Sequence, residues 1–287
     1  MRSLILKDNM ALVAGRDGYF LVSLNDMYIG RGLACYGEYN ADEAAFLKQL
    51  IRPGDHVVEV GANIGAHTIG LAKAVGPHGK VYAFEPQRVC FALLQAQIAL
   101  NQAYNVFAYN QALSRSPESL WMPAVDYTQT ENFGGVALAR EGGSDAELAS
   151  VATLDERLDG VPCTLIKIDV EGMEEDVIRG GINVIRTHRP LLYVENDQIA
   201  KSQSLIACIQ ELGYRLWWHI PKLYSPQNFF NMSENIFGET ASFNMICSCR
   251  DLEAVKGLKE IKSPHDPHPA AQKSRPAWQY SINMTQD

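Results

Sequence analysis

A glycine-containing turn directly after a short apolar run constrains the fold of this chain most. The stretch VVEVGANIGAHTIGLA begins at Val57, and its apolar run ends at Val60 before the glycines Gly61 and Gly65. These glycines allow the backbone to turn sharply and to approach a ligand closely. The helical pattern that begins near Ala66 offers unpaired N–H groups at its N-terminus. The stretch therefore predicts a ligand site at the carboxyl end of a parallel strand.

Apolar strands and amphipathic helices alternate along most of the chain. A first helix follows Asn40, where Asn40 and Glu43 have the spacing of a capping box. From residue 56 a strand–helix rhythm repeats through residue 212, which predicts parallel strands with crossover helices. At least five strands are expected in one sheet. The predicted strands are 56–60, 81–84, 105–109, 164–168 and 191–195.

The rhythm divides the chain into three parts. Residues 1–36 alternate short apolar runs with turn signals, which indicates a small strand-rich preface. Residues 37–252 form the ligand-binding domain, and within it residues 114–162 are an insertion that we expect to cover a site or to be mobile. Residues 253–287 are rich in proline and polar groups, so we expect a loosely held C-terminal extension.

Charge and hydropathy limit the partners. With 25 Lys and Arg against 33 Asp and Glu, the formal net charge is -8, which argues against binding to nucleic acid. No apolar run approaches the roughly 20 residues of a membrane-spanning helix, and the N-terminus lacks the apolar core of a signal peptide. We therefore expect a cytoplasmic protein that acts on a small molecule or glycan. A homodimer is compatible with the pattern.

Residues in and near the glycine turn discriminate between two possible ligands, a dinucleotide and S-adenosylmethionine. Asn63 stands where a dinucleotide fingerprint has its middle glycine. Glu59, which ends the first strand, would repel a pyrophosphate but could help to hold a cationic amino group. Glu85 follows the second strand, at the position where an acidic residue accepts hydrogen bonds from the ribose hydroxyls of a nucleotide cofactor. These features favour S-adenosylmethionine over NAD. An NAD-linked oxidoreductase and a binding module with a vestigial cofactor site are the alternatives.

Three motifs together carry a resemblance to a known family. From Gly37 to Glu195 the chain resembles the FkbM family of S-adenosylmethionine-dependent methyltransferases. The resemblance rests on the motifs GANIG, VYAFEP and LIKIDVEGMEEDVIRGG. The resemblance implies the α/β fold of class I methyltransferases, a Rossmann-like sheet of seven strands with the last antiparallel. It also implies a cofactor that leaves as S-adenosylhomocysteine, transfer usually to oxygen, and acceptors such as glycans or other natural products.

The motifs and the resemblance give a set of candidate residues. Glu38 lies where relatives bring a lid-like segment over the cofactor, and Gln111 and Ala112 lie where class I methyltransferases contact adenine. His67 could contact the cofactor through the start of its helix, although a surface position is equally compatible. The residues expected to bind the cofactor are Glu38, Glu59, Gly61, Asn63, Gly65, Thr68, Glu85, Pro86, Gln111, Ala112 and Asp169.

Three carboxylates are candidates for the chemical step. Asp169 and Glu171 follow one predicted strand, and Glu195 ends the next. O-methylation needs alignment of the acceptor and removal of the hydroxyl proton, so any of the three could be the base. Asp169 and Glu171 could instead position the cofactor amine or bind a divalent cation. Stabilisation of the helix N-terminus is a third interpretation of Glu171. The pattern assigns no metal ligand.

Overall fold

The computed structural model describes residues 3–271. An antiparallel sheet opens the chain and is made of β1 (Ser3–Lys7), β2 (Met10–Gly15) and β3 (Gly18–Ser23). Two helices follow, α1 (Ile29–Tyr36) and α2 (Ala41–Gln49). The preface is therefore strand-rich only as far as residue 23 and ends in a helix.

Asn40 does not cap α2 in the predicted way. Its backbone has φ 44°, in the left-handed region, and its side chain accepts no hydrogen bond from the helix. The Asn40 Nδ2 group instead donates to Glu43 Oε2 over 2.7 Å. The pair thus fixes the buried Glu43 carboxylate rather than the start of the helix.

The strand–helix rhythm forms one mixed sheet with helices on both faces. The first half contributes β4 (His56–Val60), α3 (Thr68–Val75), β5 (Lys80–Phe84), α4 (Arg88–Leu100) and β6 (Val106–Tyr109). The insertion and its borders contain β7 (Ala112–Leu113), β8 (Leu120–Met122), β9 (Glu147–Ala149), β10 (Val151–Ala152) and α5 (Leu154–Arg157). The second half contributes β11 (Leu165–Ile168), α6 (Glu174–Arg179), α7 (Ile182–His188), β12 (Leu191–Glu195), α8 (Ile199–Glu211), β13 (Arg215–His219), β14 (Asn244–Ser248) and β15 (Lys259–Ile261).

The central sheet has the arrangement that the resemblance implies, with one strand added. In space the order is β15-β13-β14-β12-β11-β4-β5-β6, eight strands in all. Strands β12, β11, β4, β5 and β6 are parallel, while β14 runs antiparallel to both of its neighbours. The expected α/β fold is confirmed, but the expected seven strands become eight because β15 pairs with the edge of β13.

Alternating residues of the central strands supply two apolar layers. On β4, Val57 packs with α2, α3 and α4, whereas Val58 packs on the opposite face with α6, α7 and α8. Each fully buried aliphatic side chain of this kind contributes about 1.5–3 kcal/mol. Because the layers hold both faces of the sheet, the carboxyl ends of β4, β5, β11 and β12 form a fixed edge on which a site can be built.

The described part of the C-terminal extension is held on the core. Strand β15 pairs with β13, and His268 adds a further contact. His268 is buried, and its Nε2 donates to the Asn196 carbonyl oxygen over 2.7 Å. Its ring lies 4.9 Å from the Trp218 ring and 5.4 Å from the Phe243 ring. Residues 253–271 thus pack on the core where we expected a loosely held segment, and the rest of the extension lies outside the described residues. No helix within residues 3–271 is long and apolar enough to cross a membrane.

Replacement of His268 tests this anchor. His268→Ala removes a buried hydrogen bond and ring packing, so we expect the free energy of unfolding to fall by about 2–3 kcal/mol. The matched control is His265→Ala, since His265 is exposed three residues away, and its cost should stay within about 0.5 kcal/mol. Urea denaturation of both variants measures the difference. Equal stability of the two variants would show that residues 253–271 are not anchored through His268.

Candidate active site

Two adjoining cavities lie at the carboxyl ends of the central strands. The main cavity has a volume of about 470 Å³, and the narrow cavity beside it about 60 Å³. Both share walls formed by the loop after β4, the end of β5 and the segment after β11. The residues common to both are Gly61, Asn63, Glu85, Gly134, Asp169 and Glu171.

Gly61 lets the loop after β4 pass against the segment after β11. Its φ is 85°, and a Cβ atom there would lie 1.8 Å from the Asp169 carbonyl oxygen. Gly65 also has a left-handed φ of 88°, but a Cβ atom there would meet Leu94 at 2.8 Å. Gly65 lines neither cavity. It shapes the turn against α4, while Gly61 shapes the floor of the site.

Glu85 joins the loop after β4 to the end of β5. Its two carboxylate oxygens accept from Asn63 N over 2.8 Å and from Gln87 N over 2.7 Å. Burial raises the pKa of Glu85 to about 7, although these two hydrogen bonds lower it. Asn63 itself has φ 48°. The two predicted cofactor residues Asn63 and Glu85 are therefore in contact. Asn63 makes this contact through its backbone N–H and not through its side chain.

The narrow cavity has mostly apolar walls and one unpartnered polar atom. Pro86, Gln111 and Ala112 line it, as does Phe133 from the insertion. Gln111 Nε2 donates to Ser150 Oγ over 2.9 Å, but Gln111 Oε1 is buried and has no partner among the described residues. The insertion thus covers this cavity, and Gln111 leaves an acceptor for a ligand.

Glu59 reaches the main cavity from the end of β4. Thr68 Oγ1 donates to Glu59 Oε2 over 2.6 Å, and both side chains are buried. Burial raises the pKa of Glu59 to about 7, against the lowering effects of Lys167 and Thr68. Thr68 lines neither cavity. Its contribution is therefore to orient Glu59.

An ion pair with the buried Lys167 fixes Asp169. Lys167 Nζ lies 2.7 Å from Asp169 Oδ2 and 3.8 Å from Glu43 Oε1. Burial favours the neutral acid, but the Lys167 ammonium outweighs it and holds the pKa of Asp169 below its usual value. Asp169 is therefore ionised at neutral pH and opens onto both cavities.

Glu171 and Glu195 face the main cavity in a different protonation state. Burial, followed by the charges of Asp169 and Asp197, raises the pKa of Glu171 to about 8. Burial, followed by the same two carboxylates, raises the pKa of Glu195 well above its ordinary value. Glu195 Oε2 is buried with no hydrogen-bond partner among the described residues. Both carboxyls thus retain their protons to a higher pH than an exposed glutamate does.

Glu38 is not brought to the site. Its carboxylate forms an ion pair with Arg16 and accepts a hydrogen bond from Phe229 N over 2.9 Å. It lines neither of the two cavities. These contacts tie the segment before α2 to the β2–β3 turn and to residues 229–230, so Glu38 has a structural role where we expected contact with cofactor.

Sequence reasoning missed one buried residue of the main cavity, Glu43, and left His67 open between a cofactor contact and a surface position. Glu43 lines the cavity from α2, and its Oε1 lies 3.6 Å from His67 Nε2. Burial, together with Lys167, lowers the pKa of His67 to about 3. His67 is therefore a neutral, buried residue rather than a surface one. The spacing of Glu43 from Leu47, one turn apart on the buried face of α2, was the signal available in the sequence.

No cluster of three or more His, Cys, Asp or Glu side chains within residues 3–271 has the arrangement of a metal site. The carboxylates of the cavity are instead dispersed over its walls. They are Glu43, Glu59, Glu85, Asp169, Glu171, Glu195 and Asp197. Among the described residues that line the main cavity, Lys167 is the only lysine or arginine.

Comparison with known proteins identifies a family. A family model described as the methyltransferase FkbM domain matches residues 59–216. The matched segment runs from Glu59, near the end of β4, to the start of β13. It therefore contains the glycine loop and the ends of β5, β11 and β12, but leaves out α1 and α2.

Two curated relatives share about a third of the aligned residues. Methyltransferase sdnD of Sordaria araneosa is 31% identical over 43% of this chain and 59% of its own length. Methyltransferase 1 of Beauveria bassiana is 30% identical over 43% of this chain and 57% of its own length. The matches thus span less than two thirds of either relative. A crystal structure of methyltransferase FkbM from Methylobacillus flagellatus aligns with a TM-score of 0.43 at 17% identity, covering 69% of this chain and 45% of that one.

The buried carboxylates should make stability depend on pH. The pKa of Glu59 is about 7 in the folded protein and near 4.5 in an unfolded chain, so the folded state holds an extra proton between these values. The stability that this protonated carboxyl contributes to the folded state is fully present below about pH 4.5 and is lost as the pH rises through 7. We expect the stability advantage of the wild type over Glu59→Gln to fall by up to about 3 kcal/mol between pH 5 and 8.

Denaturant unfolding of both proteins across this pH range gives the comparison. The control is Glu253→Gln, at an exposed carboxylate far from the cavities, for which the difference from wild type should not vary with pH. If the difference in unfolding free energy between the wild type and Glu59→Gln also does not change with pH, Glu59 is ionised in the folded protein across this range.

Proposed function

The chain belongs to the FkbM methyltransferase domain family, and we propose that it transfers the methyl group of S-adenosylmethionine to a hydroxyl oxygen of a saccharide, glycan or glycosylated natural product. The proposed acceptor is a small molecule or glycan in the cytoplasm. The net charge of -8 supports such an acceptor over nucleic acid.

The charge of the main cavity carries this proposal. Among the described residues, seven carboxyl groups line it against a single ammonium, Lys167, which is already paired with Asp169. A ligand with a sulfonium and an ammonium group complements such walls, because opposite charges attract strongly where water is excluded. A dinucleotide would bring two phosphate charges to Glu59, Glu85 and Asp169. The cavity therefore favours S-adenosylmethionine over NAD.

Residues at the end of β5 and after β6 suit the adenosine part of the cofactor. Glu85 lines both cavities and can accept hydrogen bonds from ribose hydroxyls. Gln111 Oε1, buried and without a partner among the described residues, can accept from an exocyclic amine. Pro86 and Ala112 provide apolar walls of the narrow cavity. In the free protein this cavity is small, so the insertion residues around Phe133 must shift outward for an adenine ring to enter.

Residues at the ends of β4 and β11 suit the amino-acid part. Asp169 is held ionised by Lys167 and can accept from an ammonium group. Gly61 keeps the floor between them clear, since a Cβ atom there would collide with the Asp169 carbonyl. Glu59 lines the same cavity and adds negative charge to its wall when it is ionised. Together these residues would orient the amino-acid part toward the centre of the main cavity.

The remaining carboxylates of the cavity suit the proton transfer. When bound, S-adenosylmethionine supplies an electrophilic methyl group on sulfur, and the acceptor oxygen must lose its proton as it attacks. Glu195 and Glu171 face the cavity, and Glu195 Oε2 has no partner among the described residues. A bound cation lowers the pKa of a neighbouring carboxyl. Loading of the site therefore converts these protonated groups toward the ionised form that can take the hydroxyl proton.

The walls beyond Glu195 suit an uncharged acceptor. Tyr28, Leu223 and Phe243 give this part of the main cavity apolar surface, and Ser242 and Thr240 give it hydroxyl groups. Mixed walls of this kind can bind a sugar ring through its apolar face and its hydroxyls. An anionic acceptor would meet Asp197 and Glu171 without a compensating cation.

Calorimetry with the reaction product tests the assignment of the cofactor. We expect S-adenosylhomocysteine to bind the wild-type protein and NAD not to bind. Gly61→Ala should abolish the binding, because the new methyl group displaces the Asp169 carbonyl. The control is Gly54→Ala, at a glycine with a similar φ of 92° but with no atom near its Cβ position, which carries the same backbone strain of about 1–2 kcal/mol.

Unchanged affinity in Gly61→Ala, or equal loss in the two variants, would remove the loop from the cofactor site. Binding of NAD alone would overturn the methyltransferase proposal and favour an NAD-linked oxidoreductase. If S-adenosylhomocysteine binds as expected, the wild-type protein incubated with S-adenosylmethionine and a panel of neutral glycosides should release S-adenosylhomocysteine. The corresponding sugar phosphates should not support this release.

A further inference from the structure

The C-terminal extension contributes a wall to the main cavity. Ala270 lines this cavity together with Ile199 and Phe243, and it lies outside residues 59–216, which the family model matches. The ends of β4, β5 and β11, to which we assign the cofactor, lie within the matched segment. The family resemblance therefore gives no role to Ala270, and its place in the fold decides what it can contact.

His268 fixes Ala270 at the carboxyl end of β12. The Ala270 backbone N–H donates to His268 Nδ1 over 3.0 Å, and His268 Nε2 donates to the Asn196 carbonyl oxygen over 2.7 Å. A neutral imidazole with its proton on Nε2 makes both hydrogen bonds at once. Asn196 directly follows Glu195, the last residue of β12. One buried side chain thus joins Ala270 to the residue next to a candidate base.

The segments on both sides of this bridge are held in place. The Asn196 backbone N–H donates to the Phe243 carbonyl oxygen over 2.7 Å, and the Ala271 backbone N–H donates to the His268 carbonyl oxygen over 2.9 Å. Ala270 therefore lies in a short turn that is bonded to the core at its start. A larger side chain at this position takes its volume from the cavity, because the backbone has little freedom to withdraw.

The strand order places Ala270 on the acceptor side of the main cavity. Strands β11 and β4 lie between β12 and β5, so the ends of β12 and β5 are three strand spacings apart, about 14 Å. Glu85, which follows β5, is assigned to the adenosine part of the cofactor. Ala270 lies at the other end of this span, beside the strand that carries Glu195. A ligand group that contacts Ala270 is thus part of the acceptor, whose hydroxyl has to reach a base.

We propose that Ala270 limits the size of the acceptor that enters the main cavity. This inference rests on the proposed function, because it names a residue that selects among the acceptors of that reaction. The methyl side chain of Ala270 gives this wall a small apolar surface. A site discriminates by about ten- to two-hundredfold against a single methylene group that does not fit. The acceptor is therefore compact and uncharged where it faces Ala270.

Substitutions of increasing size at position 270 test this role. The hydrogen bond to His268 uses the Ala270 backbone, so these substitutions leave it in place. With the neutral glycoside that the wild type methylates best, Ala270→Ser should keep kcat/KM within about threefold, whereas Ala270→Leu should lower it by about ten- to two-hundredfold, mainly through KM. Calorimetry should show that S-adenosylhomocysteine binds both variants with the wild-type affinity.

The matched control is Ala271→Leu, since Ala271 is exposed and lines neither cavity. Its kcat/KM should equal that of the wild type. Three results would overturn the role of Ala270 while the proposed function stands: an unchanged kcat/KM in Ala270→Leu, an equal loss in Ala270→Leu and Ala271→Leu, or weaker binding of S-adenosylhomocysteine to Ala270→Leu. A wild-type protein that binds S-adenosylhomocysteine but methylates no glycoside would overturn the proposed acceptor class, and this inference with it.

Discussion

The buried ammonium of Lys167 is the interaction on which the site depends. Strand pairing places Lys167 beside Glu59 of β4 and beside Tyr193 of β12, at the centre of the sheet. A cation in this position is stable only if carboxylates surround it, because removal of one partner leaves an uncompensated buried charge. Asp169 provides the direct contact and Glu43 a more distant one. The polar cluster at the carboxyl ends of the strands is thus organised around one cation.

The carboxyl groups around this cation exceed what one ammonium can neutralise. The free protein accommodates the excess by retaining protons, as the raised pKa values of Glu43, Glu59 and Glu85 indicate. A cationic ligand offers a second way to compensate the same charge. Ligand recognition and the stability of the free protein are therefore coupled through the same groups. This coupling explains why so many acidic residues lie in one cavity without a metal-site arrangement among the described residues.

Much of the fold could be predicted from local patterns. The alternation of strands and helices predicted the parallel sheet, and the glycine turn predicted its ligand-binding end, because both depend on residues close in sequence. The eighth strand could not be found in this way, since a strand of only three residues carries no periodic signal. The part of the site built from strand ends, such as Glu85 and Asp169, was accessible for the same reason as the sheet.

The rest of the site depends on contacts between distant elements. Glu43 resembled part of a helix cap, and only the packing of α2 on β11 shows that it faces Lys167. His67 could be interpreted from the sequence as a cofactor contact or as a surface residue, because its burial comes from α2 and from the segment around Tyr39. Glu38 resembled a lid residue, but its carboxylate is taken by Arg16 and the Phe229 backbone. In each case the partner lies in another element, which one sequence does not specify.

The central claim is that carboxylates of this cavity recognise a positive charge. Calorimetry of S-adenosylmethionine and S-adenosylhomocysteine between pH 6 and 8.5 tests it most directly, because the two ligands differ by the sulfonium charge. As the carboxyls with pKa values near 7 lose their protons, the affinity for S-adenosylmethionine should rise relative to that for S-adenosylhomocysteine. A ratio of affinities that does not change with pH would contradict the account.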